Sequence, residues 1–248
     1  MRTGGSRPRL AARPGTEETA IEPAAPPPRP APSRPVVELL ADPALSGWLA
    51  EWQEEDAPLA AARARAAEVG VAAVDPATGS ALRALAASLA ARAVVEVGTG
   101  AGVSTLWLLR GMSPDGVLTS VDAEGEHQRL ARTSLAEAGI APPRARLIAG
   151  RALEVLPRLS DGAYDLMFCD GARTEAVDYL SAALRLLRPG GLVAFAGALG
   201  SGRIASPSAR DADTVAAREL AKAVRDNDRL VPMMLPLGAG LLVAVVRD

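Results

Sequence analysis

The sequence predicts an α/β protein: a doubly wound, Rossmann-like sheet of seven strands with an antiparallel last strand, preceded by N-terminal helices. From residue 76 onward, short apolar runs alternate with segments of helical periodicity, which is typical of a parallel sheet with helices on both faces. A glycine-rich turn follows the first apolar run. The last two runs, 230–235 and 240–246, are too close in the chain for a parallel crossover of about a dozen residues. The seventh strand must therefore form a hairpin with the sixth.

The apolar spacing over 36–70 predicts a helical segment that precedes the sheet. It contains short amphipathic helices over 36–55 and a further helix over 57–69. Trp48 and Trp52 lie one helical turn apart and share a face. We expect that face to pack on the core or at a dimer contact, rather than to cap a substrate pocket.

The alternating part of the chain gives the remaining elements. We expect helices over 78–91, 103–111, 124–138, 151–159, 174–187 and 211–226. We expect strands over 93–97, 117–121, 145–149, 164–169, 190–196, 230–235 and 240–246. Together with the helical segment they form one folded domain over residues 36–248.

Residues 1–35 have a different composition, with nine prolines, six arginines and almost no large apolar side chains. Such a segment cannot build a core, so we expect a disordered, solvated tail; an interaction arm or targeting segment is the alternative. It lacks the continuous apolar stretch of a signal peptide. No uncharged apolar run of membrane-spanning length occurs in the chain, so we expect a cytoplasmic protein without a membrane partner.

The overall composition excludes several kinds of site. A net charge of −2 and an aromatic content of 3% disfavour a nucleic-acid partner. The single cysteine, Cys169, excludes an internal disulfide framework and a cysteine-built zinc site. The single histidine, His127, excludes a centre with several histidine ligands. We expect it to be exposed on its helix, and contact with the edge of a bound base is the alternative.

The turn after the first strand carries Gly98, Gly100 and Gly102, which permit a tight turn and close approach of the backbone to a ligand. The dinucleotide-binding pattern requires its third glycine at position 103, where this chain has Val103. The turn therefore favours a nucleotide-like ligand without identifying it. A purely structural turn between strand and helix is the alternative.

Carboxylates follow the strands at the same edge of the predicted sheet. Asp122 ends the second strand and is placed to accept hydrogen bonds from ribose hydroxyls, although it could instead cap the next helix. Asp170 ends the fourth strand, and Glu96 lies just before the glycine turn. Small residues near Ala152 leave space for a flat adenine ring. This acidic rim suits a cationic ligand better than a pyrophosphate.

With these features the chain resembles class I S-adenosylmethionine-dependent O-methyltransferases of the bacterial catechol and caffeoyl-CoA type, in their actinobacterial branch. The resemblance covers residues 36–248 and rests on segments 73–79, 95–104, 118–122, 164–170, 186–191, 202–207 and 235–241. It implies methyl transfer from S-adenosylmethionine to an oxygen of a small-molecule acceptor. By motif position it implies cofactor contacts from Val74, Glu96, Gly98, Thr99, Gly100, Ser104, Asp122, Ala123, Ala152 and Asp170. Glu96 would lie near the methionine end of the cofactor and Asp170 beside the transferred methyl group.

The chain departs from this family at the metal site. Metal-dependent members place one aspartate after the fourth strand, matched by Asp170, and an Asp-Asn pair after the fifth, where this chain has Ala196 and Gly197. Because Mg²⁺ prefers six oxygen ligands, we expect no protein-built metal site, and a divalent metal is doubtful. A family lysine that could act as a base is replaced by Arg173. Arginine stays protonated, so it could bind an anionic substrate instead, unless it is simply a surface arginine at the start of a helix.

These residues predict the chemistry. We expect Asp170 to accept the proton of the acceptor oxygen and, with Arg173, to contact the substrate. Tyr179 and Asp178 should lie away from the crevice, and the loop 197–210 should act as a lid. Two alternatives are a catalytically silent S-adenosylmethionine-binding protein and a nicotinamide-dependent oxidoreductase. The resemblance and the apolar N-terminal helices suggest a homodimer.

Overall fold

The computed structural model describes residues 42–247. It contains one seven-stranded sheet in the order β3-β2-β1-β4-β5-β7-β6. The strands are β1 (Ala93–Val97), β2 (Val117–Asp122), β3 (Ala145–Ala149), β4 (Tyr164–Cys169), β5 (Leu187–Ala196), β6 (Leu230–Leu235) and β7 (Leu241–Val246). The helices, numbered within the described range, are α1 (Pro43–Trp52), α2 (Ala57–Glu68), α3 (Pro76–Ser88), α4 (Val103–Gly111), α5 (Gly125–Glu137), α6 (Ala152–Val155), α7 (Ala176–Leu186) and α8 (Ala212–Arg225).

Strands β1 to β5 are parallel, whereas β7 runs antiparallel to both β5 and β6. The predicted fold class and the terminal hairpin are therefore confirmed. In the register, Val97 of β1 lies beside Val121 of β2 and Cys169 of β4. The three strands thus end at the same level, and the residues that follow them meet at one edge of the sheet.

Two apolar layers cover the sheet, one on each face. Alternate residues of a strand point to opposite faces. Accordingly, Val95 and Met167 pack in the layer that includes α7 and α8, while Val94 and Phe168 pack in the layer that includes α3 and α4. This is the double winding that the alternation of strands and helices predicted.

Some element bounds differ from the prediction. The helix expected over 151–159 is one turn of α-helix followed by a 3-10 turn, Leu156–Arg158, because Pro157 lacks the amide that would extend the helix. Strand β5 begins at Leu187, three residues early, and its register with β4 then shifts between the pairs Tyr164–Leu187 and Leu166–Leu192. The helix before β1 begins at Pro76, since Asp75 caps it by accepting a hydrogen bond from the Thr78 amide at 3.0 Å.

The N-terminal helical segment is confirmed where it is described, but its tryptophans do not pack on the core, which was one of the two expectations for them. Trp48 and Trp52 stack on each other with ring centroids 5.4 Å apart, and 54% and 74% of their surfaces are exposed. Helix α1 has no buried residue, so these rings do not belong to the core. A dimer contact stays a prediction. The tail 1–35 and residues 36–41 lie outside the described residues. Between residues 42 and 247, no helix is both long and apolar enough to cross a membrane.

Candidate active site

A cavity of about 340 Å³ opens beyond the carboxyl ends of β1, β2 and β4. This is where open α/β sheets bind their ligands. The residues expected to contact the cofactor line it, with the exception of Glu96: they are Val74, Gly98, Thr99, Gly100, Ser104, Asp122, Ala123, Ala152 and Asp170. Residues that motif position had not indicated also line it, among them His127, Arg151, Glu175 and Tyr179.

The glycine turn forms the floor of this cavity. Gly98 has a φ of +90°, and a Cβ atom at this position would lie 2.5 Å from the carbonyl oxygen of Asp170. Only glycine permits both the left-handed backbone and this close approach of β1 to the chain after β4. The glycine is therefore required by the meeting of two strand ends, whatever ligand the turn binds.

Asp122 organises the turn from the neighbouring strand. Its Oδ2 accepts hydrogen bonds from the amides of Thr99 at 3.0 Å and Gly100 at 2.9 Å, and its Oδ1 accepts one from the amide of Glu124 at 2.9 Å. The Nδ1 atom of His127 lies 3.2 Å from both carboxylate oxygens. His127 is thus half-buried at the cavity rather than exposed on its helix, and that expectation is wrong.

Glu96 lies behind the turn rather than in the cavity. By motif position we expected Glu96 near the methionine end of the cofactor. In the structure Glu96 is completely buried, on the side of the sheet that faces α4. Its carboxylate accepts hydrogen bonds from the hydroxyls of Ser104 at 2.7 Å, Thr105 at 2.5 Å and Ser120 at 2.6 Å. Burial raises the pKa of Glu96 to about 7, although the three hydroxyl donors favour the ionised form. The carboxylate supports the start of α4 and strand β2.

Another part of the wall is a hydrogen-bonded chain of three side chains: Arg151 precedes α6, Glu175 ends the 3-10 turn before α7, and Tyr179 lies in α7. The guanidinium Nη2 of Arg151 lies 2.9 Å from Oε1 of Glu175, and the hydroxyl of Tyr179 donates to Oε2 of the same carboxylate at 2.6 Å. Tyr179 was expected to lie away from the crevice, but its side chain lines the cavity, whereas Asp178 is exposed as expected. The spacing of Glu175 and Tyr179, one helical turn apart, is the signal that could have indicated this pair.

Asp170 lines the cavity and is exposed to solvent as a residue, although neighbouring protein atoms partly desolvate its carboxyl group. Desolvation therefore raises the pKa of its carboxyl to about 6, while the positive charge of Arg173 acts in the opposite direction. The group is ionised near neutral pH and has a greater proton affinity than an ordinary aspartate. Asp170 thus meets both requirements of a general base: it faces the cavity and its pKa lies near the working pH.

Comparison with known proteins identifies the family. A sequence model described as O-methyltransferase matches residues 56–247. The chain belongs to the O-methyltransferase family. A relative from Mycolicibacterium vanbaalenii, with the printed name "Putative O-methyltransferase", is 53% identical over 190 residues, which are 77% of this chain and 84% of that relative.

Two solved structures show the same fold with a cofactor present. The O-methyltransferase TomG from Streptomyces achromogenes, in complex with S-adenosylmethionine, is 27% identical with a TM-score of 0.77, covering 85% of this chain and 99% of that one. An O-methyltransferase from Bacillus cereus, in complex with S-adenosylhomocysteine, is 25% identical with a TM-score of 0.75, covering 82% and 97%. This chain is accordingly an O-methyltransferase, as its motifs indicated. Neither the silent binding protein nor the oxidoreductase is better supported.

The metal site of metal-dependent family members does not fit the donors of this chain. Asp170 supplies one carboxylate, but Ala196 and Gly197 supply no side-chain ligand after β5. Between residues 42 and 247, no group of three histidine, cysteine, aspartate or glutamate side chains could hold a metal ion. The guanidinium of Arg173 lies next to Gly197 instead. The position after β5 is thus occupied by a guanidinium rather than by side chains that could bind a cation.

The loop 197–210 is held by contacts to α8. The guanidinium of Arg218 donates hydrogen bonds to the carbonyl oxygens of Ile204 at 3.0 Å and Ala209 at 2.8 Å, and also to those of Arg203 and Ser206. Ser201 adopts a φ of +54°, which is uncommon for a residue other than glycine. A role of this loop as a lid stays a prediction.

Proposed function

We propose that this enzyme methylates an acceptor hydroxyl that lies next to Asp170, and that it does so without a divalent metal ion. The observation that carries the proposal is the position of Asp170, which follows β4, faces the cavity and has a pKa raised to about 6. Because the donor set near Asp170 does not suit Mg²⁺, no bound cation would lower the pKa of the acceptor hydroxyl, and Asp170 is the group placed to take its proton.

The cavity residues fit S-adenosylmethionine. Asp122 is placed to accept hydrogen bonds from the ribose hydroxyls, with Ala123 and Ala152 leaving space for the adenine ring. Val74 and the glycine turn bound the remainder of the cavity. The carboxylates that line it favour a ligand with a positive charge, as a sulfonium carries.

The bound cofactor supplies a methyl group attached to a good leaving group. The residues of the chain therefore need only position the acceptor oxygen and remove its proton. Asp170 orients the acceptor hydroxyl and takes its proton as the oxygen becomes a nucleophile. Arg173, whose charge acts on Asp170, contributes a second polar contact for the acceptor. The cavity walls hold the two reactants together, which by itself lowers a barrier by several kcal/mol, on the order of 7 or more in favourable cases.

The remaining expectations belong to the same proposal. The acceptor is a small molecule rather than a nucleic acid, which is supported by the net charge of −2 and the low aromatic content. The enzyme acts in the cytoplasm. The exposed stacked rings of Trp48 and Trp52 form part of a homodimer contact, because large exposed apolar side chains are typical of such surfaces.

The cofactor site is tested by calorimetric titration of the full chain with S-adenosylmethionine in excess chelator, and then with Mg²⁺. We expect binding in both conditions. Asp122→Asn should weaken it about tenfold to a hundredfold, because a charge-assisted hydrogen bond contributes about 1.5–3 kcal/mol. Asp115→Asn is the matched control: this carboxylate pairs with Arg92 at the opposite end of β2.

The reaction is tested with methyl-labelled cofactor and a panel of hydroxylated aromatic acceptors, again with chelator present. Turnover that requires added Mg²⁺ would contradict the metal-independent mechanism. Cofactor binding without turnover on any acceptor of the panel would favour the catalytically silent binding protein instead. Thermal unfolding of each variant distinguishes a local effect from loss of the fold.

A further inference from the structure

Arg173 occupies an unusual place between three elements. It lies in the 3-10 turn Arg173–Glu175 that follows β4, and its guanidinium lies against Gly197, just after β5. A Cβ atom at position 197 would be 2.7 Å from Nη2, 2.9 Å from Nε and 3.1 Å from Cζ of Arg173. The absence of a side chain at Gly197 is therefore what admits the guanidinium to this position.

The guanidinium has donor groups that its ion pair does not use fully. Its Nη1 lies 3.5 Å from Oδ2 of Asp213 at the start of α8, which is longer than a good hydrogen bond. The side chain is 42% exposed, and that of Asp213 is 58% exposed. Such an exposed, long ion pair contributes little and is readily exchanged for a better-placed anion.

The surroundings of the guanidinium are a small recess that adjoins the cofactor cavity. The recess has a volume of about 20 Å³, and its back wall is apolar, with Phe195, Ala217 and Leu220. Gly171 and Tyr179 line both the recess and the main cavity. A molecule whose hydroxyl faces Asp170 would therefore present its neighbouring group to Arg173.

We propose that Arg173 determines acceptor specificity by binding a carboxylate of the acceptor, so that the substrates are hydroxy acids. This inference rests on the proposed function. The planar guanidinium matches the two oxygens of a carboxylate and forms two parallel hydrogen bonds with it. The fixed cation would thereby orient the acceptor relative to Asp170.

The test uses pairs of probes that differ in charge and hardly in shape. The full chain is first saturated with S-adenosylhomocysteine and then titrated with 2-, 3- and 4-hydroxybenzoate and with the corresponding hydroxybenzamides. We expect at least one hydroxybenzoate to bind about tenfold to a hundredfold more tightly than its amide. Arg173→Gln should abolish this preference while leaving the affinity for S-adenosylhomocysteine unchanged.

Two further variants separate a specific site from a general effect of charge. Gly197→Ala keeps the charge but displaces the guanidinium, so it should also abolish the carboxylate preference. Arg188→Gln is the matched control, because Arg188 is 40% exposed and pairs with one carboxylate, Asp165, at the opposite end of β5. It should retain the preference.

The outcomes distinguish this inference from the proposed function. If S-adenosylhomocysteine does not bind, the proposed function itself fails. If it binds, but the hydroxybenzoates bind no better than the amides or do not bind at all, the role of Arg173 is refuted. A carboxylate preference that survives in both Arg173→Gln and Gly197→Ala would refute it equally.

Discussion

Glu96 provides the sharpest prediction about stability. Its carboxyl group is completely buried beneath the glycine turn, and burial raises its pKa from 4.5 to about 7. Three hydroxyl groups, from Ser104, Thr105 and Ser120, are its hydrogen-bond partners. Because it does not line the cavity, its titration should affect folding rather than cofactor binding.

The magnitude follows from the two pKa values. Between pH 4.5 and 7 the folded protein keeps a proton on Glu96 that the unfolded chain has released, so raising the pH favours unfolding. The contribution of this bound proton to the free energy of unfolding is fully present below pH 4.5 and is lost as the pH rises towards 7. At about 1.4 kcal/mol for each pH unit, the loss amounts to about 3 kcal/mol.

The perturbation is Glu96→Gln, which keeps the shape of the side chain but cannot ionise. Urea unfolding of both proteins, followed by circular dichroism from pH 4.5 to 7.5, gives the free energy of unfolding at each pH. We expect the wild-type value minus the variant value to fall by about 3 kcal/mol between pH 4.5 and 7. Groups that do not interact with Glu96 cancel in this difference, and Asp170, whose charge also raises the pKa of Glu96, is the neighbour whose titration is coupled to it.

Glu219→Gln is the matched control, since Glu219 is an exposed glutamate on α8. Its curve should run parallel to that of the wild type. If the Glu96→Gln curve is also parallel to the wild type, the carboxyl does not titrate in this range and the reasoning from burial is refuted. A large loss of S-adenosylmethionine affinity in Glu96→Gln would instead place Glu96 at the cofactor, as its motif position implied.

Three further predictions concern the active site and its supports. Asp170→Asn should lower the rate of methyl transfer by about a hundredfold to ten-thousandfold and should remove the rise in wild-type rate as the pH passes about 6, measured with labelled cofactor. Unchanged rates would exclude Asp170 as the base. Gly98→Ala should destabilise the fold by about 2 kcal/mol or more, seen as a melting temperature lower by about 4 °C or more, because its Cβ would meet the backbone after β4. A normal melting temperature would show that the turn relaxes at little cost. Arg218→Gln should speed proteolysis within residues 197–210 through the loss of hydrogen bonds to loop carbonyls, and an unchanged cleavage rate would show that other contacts hold the loop.

Much of the fold and part of the site could be predicted from the sequence, because the determining features are local. Apolar runs and helical periodicity placed the strands, and the short connection over 236–240 required the antiparallel hairpin. Parallel strands of similar length end together, so the glycine turn, Asp122 and Asp170 had to meet at one edge. The glycines and carboxylates at that edge then indicated a nucleotide-like ligand that carries a positive charge.

The features that could not be predicted depend on which way a side chain points and on what lies opposite it. Strand alternation turns Glu96 away from the cavity, although it immediately precedes residues that line the cavity. Arg151 and Glu175 come from different loops and meet only in the folded chain. Trp48 and Trp52 form an apolar face that would suit a core, yet they are exposed.

Local pattern and chain length are enough to predict the succession of strands and helices along the chain, the antiparallel hairpin and the residues at the strand ends. The position of the Arg173 guanidinium in the space after β5 depends instead on how whole elements pack. Arg173 can take that position because Gly197 has no side chain and because the turn Arg173–Glu175, far earlier in the chain, comes into contact with Gly197. No spacing rule within one segment can specify such an approach, because packing of whole elements against the sheet sets it.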